Sequence, residues 1–244
     1  MTEQRDLEGL GALVTGATSG IGRAAAEELA RHGAEVVVHG RDAARGSAVV
    51  DAITAEGGKA RFAAADLSHP AGLDDLVQQA GTVDVLVNNA GFSWFGPTAD
   101  LDVATFDQLF AANVRAPYFL VAALAPKMAA RGSGSIINLG SMSGQIGLAG
   151  GAAYGATKAT LASMTRSWAA EFSPSGVRVN AIAAGPVLTG GAAPDRIEAL
   201  GATTLLARAA QPAEIANVIV FLASPKASYV TGAVFAADGG RTAI

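Results

Sequence analysis

The sequence predicts an α/β fold: a doubly wound, mostly parallel sheet of seven strands with helices on both faces. Three observations predict it. Strand-like and helix-like segments alternate along all 244 residues. The strand-like segments are continuous apolar runs without the one-in-two alternation of a half-exposed sheet, so both faces of the sheet are covered. A glycine-rich turn at residues 16–22 joins the first strand to the first helix, at the edge where such sheets bind ligands.

The elements follow in order. Residues 10–15 are a short apolar run, the first strand. Residues 20–32 carry Ile21, Ala25 and Leu29 at helical spacing, and Gly33 closes that helix. Residues 35–39 are mostly β-branched and read as a buried strand. Residues 43–56 are helical and end at Gly57-Gly58. A strand at 60–65 leads to a helix at 71–80 and a strand at 83–88. Two helices follow, around 102–111 and 113–131. A strand at 135–139, a long helix at 152–172 and a strand at 177–182 come next. Residues 190–206 read as a partly helical segment. With the turn before it, from about residue 188, it forms a lid that can close over a substrate. A helix at 213–223 and a strand at 233–236 finish the chain. Without linker, repeat or low-complexity stretch, residues 1–244 read as one domain.

Composition excludes several kinds of function. Half of the residues are hydrophobic types, and a chain of this length buries about 70–75% of its unfolded surface, so the core needs no staple. There is no cysteine, which removes thiolate catalysis, zinc–cysteine sites and disulfides. His32, His39 and His69 show no ligand spacing, so no metal is expected. Net charge is −4 with no block of Lys or Arg, which argues against nucleic acid as a partner. Residues 1–9 lack the apolar core of a signal peptide. The longest apolar run, residues 118–125, lies between Pro117 and Pro126 and is shorter than the ~20 residues that span a bilayer. A cytoplasmic location is expected, with no membrane partner.

Gly16, Gly20 and Gly22 give a GxxxGxG spacing between a strand and a helix. Gly16 permits a tight turn, Gly20 lets backbone approach a pyrophosphate, and Gly22 lets helix and strand pack closely. Ser19 and Ile21 lie between them, and the free N–H groups of the helix start face an anion. A glycine-rich turn that merely starts a helix is the plainer alternative.

Tyr154 and Lys158 stand four residues apart on the long helix and share a face. A phenol ionises near 10 and is a poor acid or base at neutrality. A lysine charge ~4 Å away attracts the phenolate by roughly 4 kcal/mol at an effective dielectric of 20, which would bring the phenol down toward neutrality, with desolvation working against part of this. An ordinary surface helix is the alternative, but Leu161, Met164, Trp168 and Phe172 along the same helix do not suit one. Ser141, just past a predicted strand end, brings a hydroxyl to the same region, and Ser143 is its neighbouring alternative. Asn113, where two predicted helices meet, reads as a cap or a kink.

With these motifs in this order, the sequence resembles the classical short-chain dehydrogenase/reductase family. The resemblance runs from the glycine loop to Asp238-Gly239-Gly240 and implies a Rossmann-type fold. It implies an NAD(P)-dependent oxidoreductase moving a hydride between nicotinamide and a carbonyl or secondary alcohol. It makes Ser141 the hydroxyl that holds the substrate oxygen, Tyr154 the acid/base, Lys158 the residue on the nicotinamide ribose, and Asn113 the support of a proton relay. It also implies that Asp66 and Leu67 receive the adenine, that Asn88, Ala90 and Gly91 (from Asn88-Asn89-Ala90-Gly91) adjoin its ribose, and that Val187 and Thr189 receive the nicotinamide amide. Ala184 stands where the family usually has proline.

NAD-preferring relatives place an acid at the end of the second strand. Here Gly40 and then Arg41 occupy that place, which favours NADP(H) over NAD(H). Ser19 stands where NADP enzymes often carry a second basic residue. Phe92, Trp94, Phe95, Gln145, Ile146 and Leu148 are expected on the substrate side, with Ser141, Gln145, Tyr154 and Trp94 touching substrate. The apolar helix at 152–172 suggests burial against another subunit, and the resemblance implies a homotetramer or homodimer. The rival reading is a non-catalytic NAD(P)-binding regulatory protein of the same fold.

Overall fold

A computed structural model describes residues 5–191 and 193–244. Among the described residues seven strands form one sheet: β1 (Gly11–Val14), β2 (Glu35–Gly40), β3 (Lys59–Ala64), β4 (Val85–Asn88), β5 (Gly134–Ser141), β6 (Val177–Ala184) and β7 (Val234–Ala237). Their order is β3-β2-β1-β4-β5-β6-β7, and every neighbouring pair is parallel. Parallel neighbours need crossovers. These carry α1 (Gly20–Arg31), α2 (Ala43–Ala55), α3 (Pro70–Ala80), α4 (Val103–Phe110), α5 (Ala116–Ala130), α6 (Ala152–Phe172), α7 (Pro194–Gly201) and α8 (Pro212–Ala223). The chain winds outward from β1 to β3, then returns to pair β4 on the other side of β1. That reversal opens a crevice beyond the carboxyl ends of β1 and β4.

The apolar strands serve two cores at once. Val14, Val38, Val87, Ile137 and Ile182 face α1, α2 and α8 through Ala25, Leu29, Val49, Ile53, Ile215 and Ile219. Leu13, Val37, Leu86, Ile136 and Val179 face α3, α5 and α6 through Leu73, Leu76, Leu120, Leu124, Leu161 and Trp168. Neighbouring strand residues alternate between the two layers, which is why the strands read as unbroken apolar runs.

Three features depart from the sequence reading. The two helices expected around 102–111 and 113–131 join into one 28-residue helix, Val103–Ala130, through a π turn at Ala111–Arg115. Pro117 cannot donate a backbone bond, and the wide turn before it absorbs the loss. By length and composition this helix is apolar enough to cross a membrane, which the run 118–125 alone did not suggest; half of it is buried in the fold, with Leu120, Val121, Leu124 and Met128 in the core. Second, β5 and β6 each run two residues past their expected ends, which makes Ser141 the last residue of β5. Ala184 keeps the N–H that a proline would lack, and it pairs with both Ser141 and Ala237. Third, the lid segment holds one short helix, α7; residue 192 of that segment lies outside the described residues.

Candidate active site

The glycine loop leaves β1 at Thr15. The Thr15 hydroxyl donates to the Val87 carbonyl and accepts from the N–H groups of Asn89 and Ala90, stitching the ends of β1 and β4 together. Gly16 has φ +62, in the left-handed region, and a Cβ there would stand 2.9 Å from Ala90 Cα. At Gly22 a Cβ would stand 2.3 Å from the Gly16 carbonyl oxygen. Ser19 opens α1 without a side-chain cap, so the first-turn N–H groups of α1 have no capping side chain. Gly22→Ala is expected to weaken dinucleotide binding by at least about tenfold and to cost ~1–3 kcal/mol of stability, because backbone must move to admit the methyl. Titration with the cofactor and thermal unfolding check both.

The buried imidazole of His39 fixes this loop from below. Its Nδ1 accepts from the Gly16 N–H at 3.2 Å, so its Nε2–H donates to the Ala65 carbonyl at 3.2 Å. Burial pushes its pKa down to about 4, which keeps the ring neutral and able to accept. One side chain thus ties the glycine loop to the segment carrying Asp66. Nothing in the sequence around His39 signalled this.

A crevice of about 980 Å³ opens along the carboxyl edge. Gly16, Ser19, Gly20, Ile21, Arg41, Asp66, Leu67, Ala90, Gly91 and Thr189 border it, all positions predicted from sequence. Its volume suits a cofactor-sized ligand, and its floor is a loop that any Cβ at Gly16 or Gly20 would fill. The residues therefore fit a dinucleotide. Five expected contacts do not border it: Tyr154 and Lys158, which stand with Ser141, and three that lie elsewhere. Gly22 sits behind the loop, packed under Gly16. Asn88 is buried and donates to Asn138 Oδ1 at 2.9 Å, and Asn138 in turn donates to Thr165 on α6, so Asn88 braces the sheet. Val187 is buried in the core and bridges to Ala210. Asn89 borders the crevice instead of Asn88, and its amide donates to the carbonyls of Thr15 and Gly16. Asp66 accepts from the Ser68 N–H, which holds its carboxyl below the usual range with help from the Ser68 side chain and, more weakly, Arg41.

Beyond the Phe92 end of the crevice, β5 and α6 bring Ser141, Tyr154 and Lys158 together. Lys158 is buried; its Nζ lies 5.7 Å from the Tyr154 ring centre and donates to the Leu139 carbonyl at 2.7 Å. Burial without a facing carboxylate lowers its pKa to about 8. The Tyr154 phenol is pushed up by burial, against a hydrogen bond with Ser141 that favours ionisation. Against the expectation of a phenol lowered by the lysine charge, burial is the largest effect and raises it. Ser141 Oγ accepts from both the hydroxyl and the N–H of Ser143, which leaves its own proton to point elsewhere. Ser143 is therefore a partner of Ser141, not its substitute.

Asn113 lies in the π turn, neither capping a helix nor ending one. Its side chain donates to the Phe92 carbonyl and to Thr157 Oγ1, and it accepts from the Phe92 N–H. It thereby links the end of β4 to the residue beside Lys158. Of the residues expected on the substrate side, the Phe95 ring packs 5.5 Å from the Tyr154 ring. Trp94 folds over Gly96, where a Cβ would stand 2.9 Å from the indole, and Gln145 is exposed at the end of a short turn. Phe95, more than Trp94, is the aromatic at the phenol; residue order alone could not separate them. Arg196, on α7, stands over Phe95 at 4.9 Å, a cation that the sequence of the lid did not flag.

Comparison with known proteins decides the family. A family model described as enoyl-(acyl carrier protein) reductase matches residues 16–242. A solved short-chain dehydrogenase/reductase family protein is 51% identical, with a TM-score of 0.91 over 98% of this chain and 100% of the other. The chain belongs to the short-chain dehydrogenase/reductase family. The cis-4-hydroxycyclohexanecarboxylate dehydrogenase of Sinomonas cyclohexanicum is 38% identical over 96% of each chain. A solved 3-oxoacyl-(acyl-carrier-protein) reductase from Agrobacterium tumefaciens C58, with NADP bound, is 34% identical with a TM-score of 0.92, over 96% of this chain and 95% of that one. This short-chain dehydrogenase/reductase is thus an NAD(P)-dependent oxidoreductase that moves a hydride between nicotinamide and a carbonyl or alcohol, not a non-catalytic binding protein.

Proposed function

We propose that this enzyme, a single catalytic domain acting in the cytoplasm, reduces a ketone or oxidises a secondary alcohol with Tyr154 as proton donor and acceptor. NADP(H) is its preferred cofactor. What supports the mechanism is that α6 sets the Lys158 ammonium 5.7 Å from the Tyr154 ring centre, while β5 carries Ser141 to its end in the same region. When bound, the nicotinamide supplies or accepts the hydride. The protein does the rest. Ser143 occupies the acceptor side of Ser141, so the Ser141 hydroxyl donates to the substrate oxygen. Tyr154 gives that oxygen a proton during reduction and takes one during oxidation. The ammonium of Lys158 beneath the ring stabilises the tyrosinate and reaches the nicotinamide ribose. Asn113 holds Thr157, and with it the Lys158 turn, against the end of β4. Trp94, Phe95 and Gln145 border the substrate.

The cofactor preference has a steric and an electrostatic support. A Cβ at Gly40 would stand 2.4 Å from Thr18 Cγ2, so the strand end has no room for the carboxylate that would bind the ribose hydroxyls. Arg41 and Arg45 both border the crevice nearby. Arg45 pairs with Asp42 at 2.9 Å, leaving Arg41 for a 2′-phosphate. The expected result is a kcat/KM at least about tenfold higher with NADPH than with NADH, and a fall of about tenfold for NADPH alone in Arg41→Ala. A higher kcat/KM with NADH overturns the preference. A homotetramer or homodimer is the expected assembly. The small side chains Ala152, Ala156, Ala159 and Ser163 on the outer face of α6, and exposed Val103, Phe106, Tyr118 and Phe119 on the long helix, support it.

A further inference from the structure

We propose that Arg196 selects substrates that carry a carboxylate at the end of the carbon skeleton away from the reacting alcohol or ketone. The inference deepens the proposed function, since it rests on Tyr154 marking where the reaction occurs. Arg196 lies in the first turn of α7, on the lid, two residues after Pro194 starts the helix. Its guanidinium carbon stands 4.9 Å from the centre of the Phe95 ring. That ring packs 5.5 Å from the Tyr154 ring at a tilt of 55°. One phenyl ring therefore separates a cation on the lid from the phenol that trades the proton.

The stacking leaves the guanidinium able to bind. An arginine on an aromatic face uses the face of its plane; its five N–H groups point outward within that plane, in a fork that matches a carboxylate. No internal acid occupies it: among the described residues no carboxylate oxygen lies within 4.0 Å of Arg196. Arg208 shows the contrast, since its two terminal nitrogens hold Glu214 at 2.6 and 2.8 Å. Asp195 and Glu198, the acids of α7, stand one and two residues from Arg196, off its face of the helix. The wall between Arg196 and Tyr154 is the Phe95 ring, which suits a ring or a short apolar skeleton and offers no charge of its own.

The substrate class that fits is therefore a hydroxy or oxo carboxylic acid with an apolar middle. In oxidation the carbinol C–H bond breaks and its hydride passes to the oxidised cofactor, while the O–H proton passes to Tyr154. The carboxylate is held and stays unchanged.

The test compares 4-acetylbenzoate with acetophenone, a pair that differs only in the carboxylate. Wild type is expected to favour 4-acetylbenzoate by about tenfold or more in kcat/KM. Arg196→Gln should erase that preference through KM, with acetophenone changed less than about threefold, and Arg196→Lys should keep part of it. Equal losses on both ketones would make Arg196 a latch for the lid only and overturn the proposal, as would no loss on either. Calorimetric titration of benzoate into the enzyme–NADPH complex gives a readout independent of turnover. Binding that Arg196→Gln weakens about tenfold supports the assignment, whatever becomes of the proposed role of Tyr154. Equal binding by both proteins, or by neither, overturns it.

Discussion

Tyr154→Phe is expected to lower kcat by about 1,000-fold while cofactor affinity stays within about threefold of wild type. General acid–base catalysis supplies ~10²–10⁴-fold, and a benzene ring offers no proton to trade. The change should fall on kcat and kcat/KM together, because the lost interaction is made only as the substrate oxygen gains or loses its proton. The fold should tolerate it, because Ser141 Oγ keeps both bonds from Ser143. The ring keeps its packing on Phe95. Steady-state kinetics beside a cofactor titration measures both quantities. Full turnover in the Phe variant would remove the phenol from the mechanism.

Lys158→Met is expected to lower kcat by ~100-fold or more and yet to leave the melting temperature at or above that of wild type. The ammonium is buried, and burial lowers its pKa from 10.5 to about 8. A base whose folded pKa lies below its unfolded one destabilises the fold while it stays charged. Between the two values the unfolded chain holds more protons, so this group makes stability rise with pH from about 8 to 10.5, and its cost is at full strength below that window. At neutral pH the cost is on the order of 3 kcal/mol. Removal also forfeits the bond to the Leu139 carbonyl, which contributes ~1.5–3 kcal/mol as a charged hydrogen bond. The two nearly cancel, and methionine fills a similar volume. Thermal unfolding at pH 7 checks the balance. A melting temperature lower by more than about 5 °C would mean that the lysine serves the fold.

The same opposition explains which parts of this enzyme were legible in its sequence. Features dictated by backbone conformation or by spacing could be read directly. Gly16 must be glycine because its φ is positive, and Tyr154 and Lys158 share a face because a helix repeats every 3.6 residues. The seven strands were legible because buried parallel strands leave unbroken apolar runs. Features set by tertiary packing were not. Nothing near His39 in the chain shows that Gly16 will lie against its ring. Asn88 and Asn89 are adjacent and identical, yet the strand sends one inward to Asn138 and the other back over the glycine loop. The balance at the phenol was not legible, because helical spacing gives proximity but not how deeply the ring is buried. The gap between the two central helices was a false boundary, since a π turn can carry a chain past a proline that would end an ordinary helix.

The most direct measurement of the central claim follows the hydride itself. An α,β-unsaturated ketone is reduced with NADPH deuterated at the transferring position, in ordinary water, and the product is read by NMR. Hydride delivery to a carbonyl carbon beside Tyr154 predicts one deuterium on the carbinol carbon of an allylic alcohol. Deuterium on the carbon β to an intact ketone would contradict it, and would make the enzyme a reductase of carbon–carbon double bonds.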